Sequence, residues 1–161
     1  MKRAIDTAKI MMAQNRHTPN KGPVVNQLFR EVFYGSFEGH SNEEGAIWAS
    51  HLGHKRFRRI GQLVAEFGVE KSHDLLKQAD PAHLAEGSQE LNKRVAAILQ
   101  FLEQLGEQKT VVVATHGSII QYLASRIDGH HTYPNLDNGA MMKLVIDAGI
   151  PRIADYNTKQ L

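Results

Sequence analysis

The 161 residues contain no cysteine, which removes disulfides, thiolate metal ligands and thiol nucleophiles from consideration. Excess charge is also lacking: 19 Lys and Arg against 17 Asp and Glu leave a formal +2, too small a surplus to argue for nucleic acid by itself. No apolar run approaches the ~20 residues that a membrane span needs. The opening "MKRAIDTAKIMMA" is basic, but Asp6 and Lys9 interrupt anything resembling a signal-peptide core. Internal repeats and low-complexity tracts are missing as well. Together these absences lead us to expect a soluble, cytoplasmic protein. The composition that remains, 42% hydrophobic and 22% charged, is globular, and the length suits one domain with a real core.

Hydrophobic periodicity organises the chain. Ala4, Ile5, Ala8, Met11 and Met12 share one helical face, and the helix should fade near Asn15 before the breaker-rich "NRHTPNKGP". "VVNQLFREV" reads as a short strand, followed by the loop "FYGSFEGHSNEEG". Helical spacing runs from Ala46 to about Phe67, with Ile47, Leu52, Phe57, Ile60, Leu63, Val64 and Phe67 expected inside. A shorter helix is expected over 72–79, then one with Ser88 as N-cap and Leu91, Val95, Ile98, Leu99, Leu102 and Leu105 as its stripe, closed by Gly106. "TVVVAT" reads as a strand buried on both faces, the pattern of parallel sheets under helices. "SIIQYLASRI" follows as a helix, "MMKLVID" as a strand and "RIADYN" as a last edge strand. The expected class is α/β, with a largely parallel sheet covered by helices on both faces.

Chemistry is expected at the end of the valine run. In open α/β sheets ligands bind beyond the carboxyl ends of strands, where "VVVATHGSII" places His116. Gly117 permits a tight turn and close approach. Ser118 then opens a helix whose free N–H groups favour an anion. A phosphate seat and a structural histidine capping a strand end are both compatible with that position. In "FREVFYGSFEG" Glu31 ends the expected strand, and a carboxyl there can work as a general acid or base. Glu38, between Phe37 and Gly39, fits a turn-closing role better. Arg3 has the guanidinium fork that suits phosphate, although a solvated arginine near a chain end is commonplace.

Taken together, "KRAIDTA" (2–8), "REVFYGSFEG" (30–39), "EGSQELNKRV" (86–95), "VVVATHGSII" (111–120) and "LDNGAMMKLVID" (136–147), in that order, resemble the histidine phosphatase superfamily, also called phosphoglycerate-mutase-like. The resemblance implies phosphoryl transfer through a phosphohistidine, on a small phosphorylated substrate, with no cofactor and no metal. It makes Arg3 a phosphate-clamping arginine, Glu31 the proton donor, and His116, with Gly117, part of the phosphate pocket. The nucleophile of the family stands in an Arg-His-Gly triplet, and these 161 residues contain none; the one Arg-His pair is Arg16-His17, followed by Thr18-Pro19. The resemblance therefore implies a single but incomplete domain over 1–161, missing an N-terminal strand–helix–strand portion, with catalysis impaired. The alternative is a non-catalytic phosphate-binding or protein-binding remnant. An unpaired central strand implies marginal stability or self-association.

Two further clusters weigh less. "HLGHKRFRRIG" (51–61) gathers Lys55, Arg56, Arg58 and Arg59 around Phe57; it reads as a solvated helix face first, as substrate-side charge second, and as a nucleic-acid patch last. "GHHTYPN" (129–135) lacks the further ligands a metal site requires. Asn138 follows a turn and is expected to shape the loop near the pocket.

Overall fold

The computed structural model of the chain describes residues 2–15 and 22–159. Helix α1 (Lys2–Gln14) forms where the first apolar face lies, with Ala4, Ile5, Ala8 and Met12 half-buried, Met11 exposed and no residue fully buried. The segment expected as a strand over 24–32 turns instead. The Asn26 side chain accepts the Leu28 N–H at 3.0 Å and starts a 3-10 turn, Gln27–Phe29. A short amide side chain that competes for backbone N–H groups favours such a turn over an extended ladder. A second 3-10 turn, Gly35–Phe37, follows.

The single helix expected over 46–67 is two: α2 (Asn42–Leu52) and α3 (Ile60–Phe67). Gly53 closes α2 through its N–H to Ala49 O at 3.2 Å, and His54 then adopts a left-handed φ of 55°. The break turns the expected face outward at α2, so Ile47 and Leu52 are each 40% exposed while Leu63 and Val64 are buried. Helix α4 (Val69–Ala79) starts directly after Gly68, and α5 (Ser88–Gln104) has Gly87, not Ser88, at its N-cap. Ser88 is held from outside the helix by Asp74, which accepts its N–H at 2.8 Å and its hydroxyl at 3.0 Å.

Two clusters form the core. Leu91, Val95 and Ile98 of α5 meet Ile119, Tyr122 and Leu123 of α6 (Gly117–Ile127), with Val32 sealed between them. Each such side chain, fully buried, stabilises the fold by about 1.5–3 kcal/mol. Ala46, Ala49, Leu63, Leu75 and Leu76 join α2, α3 and α4.

The class is α/β, but the described residues do not build the expected parallel sheet. Their one sheet is two-stranded and antiparallel, β1 (Met141–Asp147) against β2 (Ile150–Thr158). Ala148 and Gly149, with φ of 48° and 78°, join the strands. Two left-handed residues in succession give the tight hairpin turn whose twist matches its strands. The valine run 110–115 joins no ladder, and no backbone hydrogen bond is formed by it among the described residues. It is tethered where Thr115 Oγ1 donates to Phe29 O at 2.6 Å. Val111, Val112 and Val113 are 48%, 67% and 37% exposed, not buried on both faces as expected. A strand is covered only when others pair beside it, and the described residues supply none.

Candidate functional site

His116 has the extended backbone of an N-cap for α6, but its ring makes no cap hydrogen bond. The N–H groups of Gly117, Ser118 and Ile119 consequently find no acceptor among the described residues. Such groups, at the positive end of a helix dipole, attract an anion.

The ring itself is buried, at 8% exposure. Its Nδ1 lies 3.8 Å from Glu31 Oε2, while Nε2 is buried with no hydrogen-bond partner among the described residues. An orphaned buried nitrogen costs free energy and asks for a ligand. Burial lowers the His116 pKa, the Glu31 carboxylate pulls it up, and the Arg3 guanidinium pushes it down again. Arg3 on α1 therefore lies within electrostatic reach of the ring, although its own side chain is exposed. Glu31 is half-buried, and its other oxygen, Oε1, accepts the Val32 N–H at 2.9 Å. Glu31 and His116, expected from separate stretches of sequence, thus lie side by side where the 30–34 loop meets the start of α6 at Gly117, with Arg3 of α1 within electrostatic reach.

Tyr34 joins the site without any sequence signal beyond its loop. Its hydroxyl donates to Ser118 Oγ at 2.9 Å, fixing the first turn of α6, and burial raises its pKa so the phenol stays protonated. A hollow beside it is lined by Phe37, Glu38, Gly39, His40, Ile60 and Leu76. Glu38 closes the turn, Oε1 accepting the Tyr34 N–H at 3.0 Å. On the other flank, a Cβ placed on Gly117 would meet Leu136 at 3.9 Å, so the 133–138 loop borders the helix start.

The remaining candidates lie elsewhere. Lys55 pairs with Glu66, and Phe57 packs edge-on against Phe67 with ring centroids 6.1 Å apart; Arg56, Arg58 and Arg59 are exposed. Near 129–135, His130 lies 3.4 Å from Glu70, and His131 packs edge-on against Tyr133. No group of three His, Cys, Asp or Glu is placed to hold a metal among the described residues. Arg16-His17 lies outside the described residues. No helix among the described residues is long and apolar enough to cross a membrane.

The first turn of α6 thus lies beside an imidazole–carboxylate pair, with the Arg3 guanidinium within electrostatic reach. The family model of the histidine phosphatase superfamily (branch 1) matches residues 1–159, and the chain belongs to that superfamily. Among solved structures it is similar to phosphoglycerate mutase from Bacillus anthracis str. Sterne, at 22% identity and a TM-score of 0.86, over 98% of this chain and 69% of that one. At that identity the likeness speaks for the fold. No curated protein matches the sequence.

Proposed function

We propose that this chain carries the phosphoryl-binding and proton-handling part of a histidine phosphatase site, directed at a small phosphomonoester. The observation that carries the reading is the buried Nε2 of His116 at the mouth of α6, without a partner among the described residues. With its proton on Nε2, the ring donates to a non-bridging phosphoryl oxygen. The N–H groups of Gly117, Ser118 and Ile119 and the Arg3 guanidinium share the remaining negative charge. Glu31, beside Nδ1, is the group that protonates the leaving oxygen, the task that phosphoryl transfer leaves to a positioned acid. No cofactor is required for this chemistry.

Transfer also needs a nucleophile, and these 161 residues contain no Arg-His-Gly triplet. Among the other described histidines, His73 is buried in the core, His130 lies against Glu70, and His40, on the rim of the hollow, lies 3.0 Å from Glu44. We therefore expect these residues to bind phosphate and to hydrolyse phosphomonoesters poorly or not at all. The absence of cysteine fits the cytoplasmic setting expected above.

Titrating the chain with inorganic phosphate while following the His116 ring by NMR tests the reading. The ring signals should move with saturation, and His116→Ala should abolish binding. Ring signals indifferent to phosphate would remove the proposal. Hydrolysis of p-nitrophenyl phosphate that disappears in His116→Ala would show a working enzyme and overturn the impairment.

A further inference from the structure

Glu31 sits on a stretch, 30–34, that has no regular secondary structure, so something other than a helix or sheet must hold its carboxyl against His116. The α5 end of the molecule does so. Glu86, just before α5, and Arg94, within it, are each 8% exposed. Glu86 takes Arg30 in a two-pronged pair, Arg30 Nη1 to Oε2 at 2.9 Å and Nη2 to Oε1 at 2.8 Å. Its Oε2 also accepts the Arg94 Nη2–H at 2.9 Å and the Phe33 N–H at 2.8 Å. The Glu86 backbone N–H donates to Phe33 O at 2.8 Å.

Arg94 reaches past Glu86 and donates through Nη1 to Arg30 O at 2.7 Å. Arg30 Nη1 donates as well to Glu31 O at 2.9 Å. The backbone on both sides of Glu31 is thereby tied to one buried carboxylate and one buried guanidinium, more than fifty residues later in the chain. A fork of donors with fixed geometry is the arrangement that holds a position, since neither a lysine nor a neutral amide reproduces it.

We propose that Glu86 and Arg94 are positioning residues for the proton-handling site: they set the distance between the Glu31 carboxyl and the His116 ring. The proposal rests on the phosphatase reading only for what Glu31 does chemically; the placement itself is independent of it.

The test reads that placement without phosphate. Of the charged groups acting on the His116 ring, the Glu31 carboxylate raises its pKa while the N-terminal amino group and Arg3 lower it, so the pH midpoint of the ring, followed by NMR, reports how near the carboxylate lies. Glu31→Gln should lower the midpoint, since the charge that raises it is removed. Glu86→Gln should lower it in the same direction, and adding Glu86→Gln to Glu31→Gln should move it no further. Arg94→Lys should show a smaller shift of the same sign.

Ile98→Val, which loosens the same core without touching the network, should leave the midpoint alone. Should Glu86→Gln fail to fold, Arg30→Lys breaks the fork at its more exposed end and takes its place. A folded Glu86→Gln or Arg30→Lys protein with the parental midpoint overturns the proposal. An equal shift in Ile98→Val does so too, because any loosening would then suffice. Phosphate titration of the unsubstituted chain separates failure of this placement from failure of the phosphatase reading.

Discussion

His116 Nδ1 and Glu31 Oε2 stand 3.8 Å apart, a separation at which the carboxylate senses the charge of the ring without a tight hydrogen bond fixing either. Eighty-five residues of chain separate them, yet each is poised by a different device: His116 by the start of α6, Glu31 by the buried pair behind it. Both burial and Arg3 favour the neutral ring. We expect the His116 midpoint below the free-imidazole value of about 6.5, and phosphate, which favours the charged ring, to raise it. NMR titration with and without phosphate checks both; a midpoint unmoved by phosphate would contradict the second.

Gly35 is a sharper structural test. At φ +61° its position would put an alanine Cβ 1.9 Å from Asp80 Oδ2 and 2.7 Å from Ala85 N. Asp80 is fully buried and accepts the N–H groups of Ser36, Ala82, Leu84 and Ala85, so it has no room to retreat. Gly35→Ala should cost about 3 kcal/mol or more. Gly39, at φ +80° with open space around it, should lose only about 1–2 kcal/mol on the same change. Urea unfolding of the two variants gives the comparison, and equal losses would refute it.

Acid should weaken the fold through His73. Its ring is 2% exposed, lies between Tyr34 and Tyr122, and leaves Nδ1 without a partner among the described residues. Burial lowers its pKa to about 4. A folded pKa below the unfolded one means the unfolded chain binds the proton more readily. The stability is thus complete above about pH 6.5 and drains away as pH falls towards 4, by roughly 3 kcal/mol. Unfolding free energies measured between pH 7.5 and 4.5 should show this slope, and His73→Phe should flatten it.

The exposed valines predict association. Six uncharged residues, rich in valine and without a ladder among the described residues, form a template for pairing with another chain. Sedimentation velocity should show concentration-dependent self-association, reduced by Val112→Lys. A monomer at all concentrations that also melts cooperatively would contradict it.

Where the determinant is local, the sequence reading holds: the stripe Leu91–Val95–Ile98 is one face of α5, "MMKLVID" is β1, and α6 begins after His116. Where it is distant, the reading fails. Valines 111–113 have the composition of a core strand, but burial depends on neighbouring strands that composition does not supply. Asn26 overrules the apolar residues around it because one side-chain acceptor suffices to bend the backbone. Ile47 looks inward on a continuous helix and outward once Gly53 ends it.

The sequence by itself determined the helices that periodicity encodes, and it offered an imidazole, a carboxyl and a guanidinium as candidates, since these are properties of side chains. Only the tertiary structure decided that His116 and Glu31 lie side by side, that Nε2 finds no partner among the described residues, and that Glu86 and Arg94 tie down the loop that carries Glu31. Those facts depend on contacts between residues far apart in the chain, which no local pattern records.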